Sequence, residues 1–136
     1  MEAYVSFEVA KLLKEKGFDW SCISYWCEFP NGDIVHTDVG ASANHNGQET
    51  NRFTSRPTQQ MACRWLREEK GIHIVPDRVK NVVDDNHPFY DYYCIIRDNN
   101  DEQYIVDSID LPPGQYYLAC EDAINAALLF VLKNLI

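Results

Sequence analysis

Three residues of this chain have the types that a thiol-dependent enzyme uses, namely Cys27, His36 and Asp38. A thiol acts as a nucleophile when an imidazole takes its proton, and a carboxylate can orient that imidazole. Whether the three meet depends on the register of the hairpin that carries them. A two-residue turn at Asn31-Gly32 would place Cys27 opposite His36, with Asp38 on the same face, and this register is the basis of an enzyme hypothesis.

The residues at the turn favour a different register. The two strands are predicted over residues 22–29 and 33–39. A two-residue turn would make Pro30 part of the strand ladder, where it has no N–H to donate. A type I turn on Pro30 and Asn31, with Gly32 in the left-handed conformation, gives each residue the backbone geometry that it prefers.

This favoured register separates the catalytic candidates. It pairs Cys27 with Val35 and His36 with Trp26, so the thiol and the imidazole point to opposite faces of the hairpin. We therefore predict a structural role for these residues and a protein that is not an enzyme. A thiol-dependent enzyme using Cys27 and His36 stays as the alternative.

The net charge of −9 is concentrated in one part of the chain. Residues 77–122 contain eleven acidic residues, three basic residues and six of the eight tyrosines. Such a surface repels phosphate backbones and attracts basic partners, and tyrosine offers a large contact area at low entropic cost. We predict a small accessory protein that binds an unidentified protein partner; nucleic-acid binding is disfavoured. An acidic mimic of nucleic acid that inhibits a DNA-binding protein is the alternative. The candidate binding residues are Asp84, Asp85, Tyr90, Tyr92, Asp98, Asp101 and Glu102.

The composition suits one globular domain over residues 1–136. Five cysteines, an odd number with no C-x-x-C spacing, predict free thiols in a reducing compartment. Because the sequence contains neither a ligand set with metal-site spacing nor a nucleotide-binding loop, we predict no metal and no cofactor. The first residues lack the features of a signal peptide, and no apolar run has transmembrane length. We therefore expect a cytoplasmic protein without membrane association.

Three helices are predicted from capping residues and apolar periodicity. The first spans residues 7–16 after the N-cap Ser6, the second begins after Thr58 and ends before Gly71, and the third runs from about Glu121 to the carboxyl terminus. The third helix is apolar on more than one face, which predicts either burial or contact with a second subunit. The chain is accordingly expected to be a monomer or a homodimer through its C-terminal helix.

The second helix carries two arginines, Arg64 and Arg67, on its polar side. A pair of guanidinium groups at this spacing can hold a carboxylate or a phosphate. A solvated helix face with an ion pair between Arg64 and Glu68 is the simpler interpretation, and it is favoured.

Strands are predicted on both sides of the second helix. A short strand follows Gly71, and a second hairpin spans residues 90–97 and 103–109. Residues 40–56 are expected to form a long polar loop, and residues 76–88 an irregular segment. The resulting order is α-β-β-α-β-β-β-α. It predicts an α+β fold with two layers, in which three helices cover a mostly antiparallel sheet.

Three blocks of the sequence resemble a known protein family. They are YVSFEVAKLLKEKGF (residues 4–18), RPTQQMACRWLREEKGIHI (56–74) and CEDAINAALLFVLKNLI (120–136), and they cover 51 of the 136 residues. In these blocks the chain is similar to small proteins with no assigned activity that are encoded by Bacteroides-type gut bacteria and their phages. That family usually opens its last helix with a small hydroxyl residue, where this chain has Ala119. The resemblance implies one fold, an intracellular origin and an association with mobile elements, and it assigns no catalytic or binding residue.

Overall fold

A computed structural model describes residues 2–48, 51–82 and 88–136 of the chain. In chain order, the helices and strands are α1 Phe7–Glu15, β1 Cys22–Glu28, β2 Ile34–Ala43, β3 Phe53–Ser55, α2 Gln59–Trp65, β4 His73–Val82, β5 Pro88–Arg97, β6 Gln103–Val106 and α3 Cys120–Asn134. A π-helical turn, Leu66–Lys70, extends α2 as far as the left-handed Gly71. Short 3-10 turns lie at His45–Gly47 and Ser108–Asp110.

The strands form two antiparallel sheets of three strands each. The first has the order β2-β1-β3 and the second the order β4-β5-β6. The predicted α+β class with three helices is confirmed. The difference from the expected arrangement is that the strands divide between two sheets, and that the short β3 is added before α2. The strand β5, whose sequence is apolar on both faces, is the central strand of the second sheet.

Two of the three helices are capped by the side chains that the sequence indicates. Ser6 Oγ accepts a hydrogen bond from the backbone N–H of Val9 at 3.3 Å. Thr58 Oγ1 accepts one from the backbone N–H of Met61 at 3.2 Å. Ala119 precedes α3 and offers no side-chain acceptor, so α3 begins without a side-chain cap.

The core lies between the helices and the inner face of the second sheet. α3 packs against α1 and against all three strands of that sheet. Its fully buried residues are Ala123, Ala127, Leu128, Val131 and Leu132. The apolar stripe of α3 is thus buried against other elements of the same chain. Within the described residues, no helix combines the length and the hydropathy that a bilayer span requires.

The prediction of a polar loop over residues 40–56 is wrong for residues 40–48 and 51–56, the part of this segment that the structure describes. β2 continues into this segment, and β3 pairs with β1 on its other side. Between them, His45 is buried, with Nε2 2.9 Å from the carbonyl oxygen of Cys22. Asn46 Oδ1 accepts from the backbone N–H of Ser55 at 2.8 Å. The segment is held by polar side chains bonded to backbone groups, and apolar periodicity does not detect such anchoring.

The prediction of an irregular segment over residues 76–88 is wrong for the part that the structure describes. β4 continues through Pro76, and all of its residues pair with β5. A proline fits a strand at the edge of a sheet, where its missing N–H faces away from the neighbouring strand. β4 is such an edge strand. The next N–H on that side, from Arg78, donates to Asp77 Oδ1 at 2.8 Å.

Candidate functional site

The structure separates the residues of the enzyme hypothesis. β1 and β2 pair Cys27 with Val35 and Trp26 with His36, which confirms the register that the turn residues favour. Gly32 has φ +91°, the left-handed conformation that this turn requires. Successive residues of a strand point to opposite faces, so the Cys27 thiol and the His36 imidazole do not meet.

His36 and Asp38 share a face of the first sheet, beside Arg56. The Arg56 guanidinium lies 4.1 Å from the ring centroid of Tyr4 and 5.2 Å from that of Trp26. Its Nη1 is 3.7 Å from Asp38 Oδ1, and the His36 ring meets the Trp26 ring edge-on at 5.4 Å. Burial lowers the pKa of Arg56, and the Asp38 carboxylate opposes that shift. These contacts are internal and join the amino-terminal segment to the first sheet.

The predicted acidic residues that the structure describes lie at the turn between β5 and β6. Asp98 Oδ1 accepts from the backbone N–H groups of Asn100 and Glu102 at 2.9 and 3.0 Å. The Tyr104 hydroxyl donates to Glu102 Oε2 at 2.9 Å, and this hydrogen bond is the main reason why the pKa of Tyr104 is raised to about 12. Asp101 is exposed at the same turn, with φ 60°. Asp98 and Glu102 therefore organise the turn itself.

The predicted tyrosines of β5 lie away from this turn. Tyr92 is half-buried and packs against the core. Tyr90 is more exposed, and the Arg78 guanidinium lies 4.0 Å from its ring centroid. Tyr90 and Asp98 are roughly 26 Å apart along an extended strand, so the described candidates do not converge on one site. Asp84 and Asp85 lie outside the described residues.

A different site is formed where α2, β4 and α3 meet. There the surface has an open groove of about 720 Å³, which is within the range of roughly 300–1,000 Å³ found for ligand sites. We call it the α2–β4–α3 groove. The side chains that define it are Cys63, Arg67, Ile74, Pro76, Glu121 and Ile124.

One wall of the groove is basic. Gln60, Arg64 and Arg67 lie on it, at the helical spacing that puts them on one face. Arg64 Nε is 2.9 Å from Glu68 Oε1, as the sequence predicts, and its guanidinium is 5.8 Å from the ring centroid of Trp20. Arg67 is exposed and has no ion pair within the described residues. An arginine in this state is available to a carboxylate or a phosphate.

The other side of the groove, formed by the amino-terminal segment and α3, is acidic. Glu2 and Glu121 line it. Gln59, only 5% exposed, donates from Nε2 to the backbone carbonyl of Glu121 at 2.8 Å. This hydrogen bond ties the start of α2 to the first turn of α3, and it holds the two sides of the groove at a set separation.

Apolar side chains and thiols lie between the two walls. Ile74 and Ile124 supply the apolar surface. Burial raises the pKa of Cys63 to about 11 and also raises that of Cys120. Burial and the charges of these two thiols raise the pKa of the neighbouring Cys94 to about 12. The thiols are therefore protonated at neutral pH and are poor nucleophiles.

Among the residues that the structure describes, no three His, Cys, Asp or Glu side chains are placed to hold a metal ion. His45 is committed to the carbonyl of Cys22, and His36 to the ring of Trp26. The arrangement in the groove can bind a ligand through charge and apolar contact.

The sequence indicates the arginines of this groove but not the groove itself. Arg64 and Arg67 are recognisable from their helical spacing. The apolar surface comes from β4 and α3, which are distant in sequence from α2. Pro76 lies in a segment for which the sequence predicts no strand, so no local pattern places it beside Arg67.

Comparison with known proteins gives no relative from which a role can be transferred, since the chain matches no family model, no curated protein and no solved structure.

Proposed function

We propose that this protein is a non-catalytic binding module, an accessory protein that holds a segment of a partner protein in the α2–β4–α3 groove. The observation that carries the proposal is the combination, in one groove of about 720 Å³, of an apolar surface and an arginine without an ion pair among the described residues. The expected partner is a protein, as in the prediction from the sequence. It binds in the groove and not at the acidic, tyrosine-rich segment.

Arg67 supplies the charge that selects the ligand. Its guanidinium is exposed, whereas that of Arg64 is engaged by Glu68 at 2.9 Å. A carboxylate forms strong, charge-assisted hydrogen bonds with a free guanidinium. A neighbouring apolar side chain of the ligand would lie on Ile74 and Ile124. The expected ligand is therefore a short extended peptide with an acidic residue next to an apolar one.

The chemistry of the groove favours binding over catalysis. Its thiols, Cys63 and Cys120, have raised pKa values and stay protonated at neutral pH. None of the described histidines lines the groove, so no imidazole among the described residues is placed to act as a base for these thiols. Mimicry of nucleic acid by the acidic segment stays a separate prediction.

Selection from a library of random peptides displayed on phage tests this function. We expect the enriched peptides to carry Asp or Glu beside an apolar residue. Fluorescence anisotropy then gives the affinity of a labelled synthetic copy. The variant Arg67→Glu should weaken binding by tenfold or more, because a hydrogen bond to a charged group contributes roughly 1.5–3 kcal/mol.

Lys80→Glu is the matched control for this experiment. Like Arg67→Glu, it replaces a basic residue by an acidic one. Lys80 is an exposed residue of β4 that does not line the groove. The affinity of this variant for the peptide should equal that of the wild type. The proposal is refuted if no peptide is enriched, or if the enriched peptides bind the Arg67→Glu variant as tightly as the wild type.

A further inference from the structure

The outer face of the second sheet carries a row of three apolar side chains, two of which are exposed and one half-buried. The register aligns Val75 of β4, Ile95 of β5 and Ile105 of β6 across the three strands. Val75 is 55% exposed and Ile105 is 53% exposed. The inner face, with Cys94 and Ile96, is buried under α3. This apolar row is thus a surface that the described chain leaves uncovered, as interaction sites often are.

Two residues of opposite charge, Arg97 and Asp77, lie on either side of the apolar row. On one side the register aligns His73, Arg97 and Gln103, which we call the basic row. On the other side Asp77 pairs with Tyr93, whose hydroxyl donates to Asp77 Oδ2 at 3.3 Å, and we call this the acidic row. Both rows are two positions from the apolar row, so they point to the same outer face.

We propose that this face is a homodimer interface, in which two copies of the chain pack sheet against sheet. The two-fold axis lies along the apolar row, at right angles to the strands. That rotation places each apolar row on its copy and turns the basic row of one subunit onto the acidic row of the other. Arg97 then lies over the partner's Tyr93, and the partner's Asp77 is on the adjacent strand, about 4.8 Å to the side and within reach of the long arginine side chain. The symmetry makes this contact twice.

The charges exclude the other simple arrangements. A two-fold axis parallel to the strands would place Arg97 against the partner's Arg97, and like charges in contact are repelled. Pairing of two β4 strands edge to edge is also disfavoured. Pro76 has no N–H on that edge, and the N–H of Arg78 is already bonded to Asp77. The face, and not the β4 edge, is therefore the surface that fits a second copy.

The size of the patch sets the expected affinity. β4 and β5 lie about 4.8 Å apart over residues 73–79 of β4, and β6 lies beside residues 94–97 of β5, so the area is at most roughly 14 Å by 20 Å. A stable interface of standard size buries about 800 Å² on each partner. The patch is smaller than that, so we expect a weak dimer that forms only at high protein concentration. It does not involve the groove.

Sedimentation velocity over a wide range of protein concentration measures this dimer. The wild type should shift from monomer to dimer as the concentration rises. Arg97→Glu and Asp77→Lys should each raise the dissociation constant by tenfold or more. The double variant should return it toward the wild-type value, because the two charges are then exchanged and attract each other again across the interface. Within one chain, positions 97 and 77 are roughly 13 Å apart along the sheet, so rescue must come from the partner.

Lys80→Glu, which changes the charge of β4 on the inner side of the sheet, is the control and should dimerise as the wild type does. Circular dichroism confirms that each variant is folded. Arg97 is exposed, so Arg97→Glu should fold. If Asp77→Lys unfolds, the dissociation constant of Arg97→Glu alone tests the proposal. A wild type that is monomeric throughout, single variants that dimerise normally, or a folded double variant without rescue would each overturn the proposal.

Discussion

Replacing Ala119 by serine should stabilise the protein through the first turn of α3. Ala119 has φ −127° and ψ 140°, the extended conformation from which a serine hydroxyl accepts from a first-turn N–H. Ser6 already does this for α1, and Thr58 for α2. α3 has no side-chain cap. The substitution therefore supplies an acceptor where the backbone is already in the required geometry.

The expected gain is about 1 kcal/mol, the typical difference between alanine and serine at an N-cap. The chain has 136 residues. With an unfolding entropy of about 2.1 cal/mol/K per residue, this gain raises Tm by about 3–4 °C. Glu121 and Asp122 in the first turn already interact favourably with the helix dipole, and the hydroxyl adds a hydrogen bond to that effect.

Urea denaturation followed by circular dichroism gives the change in the free energy of unfolding, and calorimetry gives Tm. Ala126→Ser is the control, because it makes the same chemical change inside α3, where every N–H is used by the helix. That variant should lose about 0.5 kcal/mol. If Ala119→Ser is no more stable than the wild type, the first-turn N–H groups are satisfied without a cap and the reasoning is wrong.

Two further predictions concern the core and the pH dependence of stability. Leu128 is fully buried, whereas Leu118 is 64% exposed. In urea denaturation, the free energy of unfolding should fall by about 2–5 kcal/mol in Leu128→Ala and by less than about 0.5 kcal/mol in Leu118→Ala. Similar losses in the two variants would contradict the packing of α3. The pKa of Tyr104 is raised from 10.0 to about 12 in the folded protein. Its protonated hydroxyl therefore stabilises the fold below pH 10, and this contribution is lost as the pH rises through 12. Tyr104→Phe should lose less stability than the wild type across that interval, and parallel curves of stability against pH would contradict the role of its hydrogen bonds.

The hairpin of β1 and β2 illustrates what local chemistry determines. The ring of Pro30 restricts its own φ, and Gly32 is free to adopt φ +91°. These preferences predict the turn, the turn sets the register, and the register separates Cys27 from His36. The separation of Cys27 from His36 is thus predictable from a few adjacent residues.

The candidate groove depended on contacts that no short segment contains. The helical spacing of Arg64 and Arg67 is visible in the sequence, but the apolar surface beside them comes from β4 and α3. The hydrogen bond from Gln59 to Glu121 joins residues that are 62 positions apart. A pattern within α2 does not indicate which elements will pack against it, because many distant segments are equally apolar.

The helices, the caps of the first two, the turn at Gly32 and the class of the fold are all predictable from the sequence, since each depends on interactions within a few residues. The pairing of β3 with β1, the place of Pro76 within a strand and the division into two sheets depend instead on contacts between distant segments. A strand is stabilised by its neighbours, so an edge strand rich in polar residues resembles a loop until its partner is known. The groove and the exposed outer face of the second sheet follow from the same cause, because both are defined by which surfaces packing has covered and which it has left open.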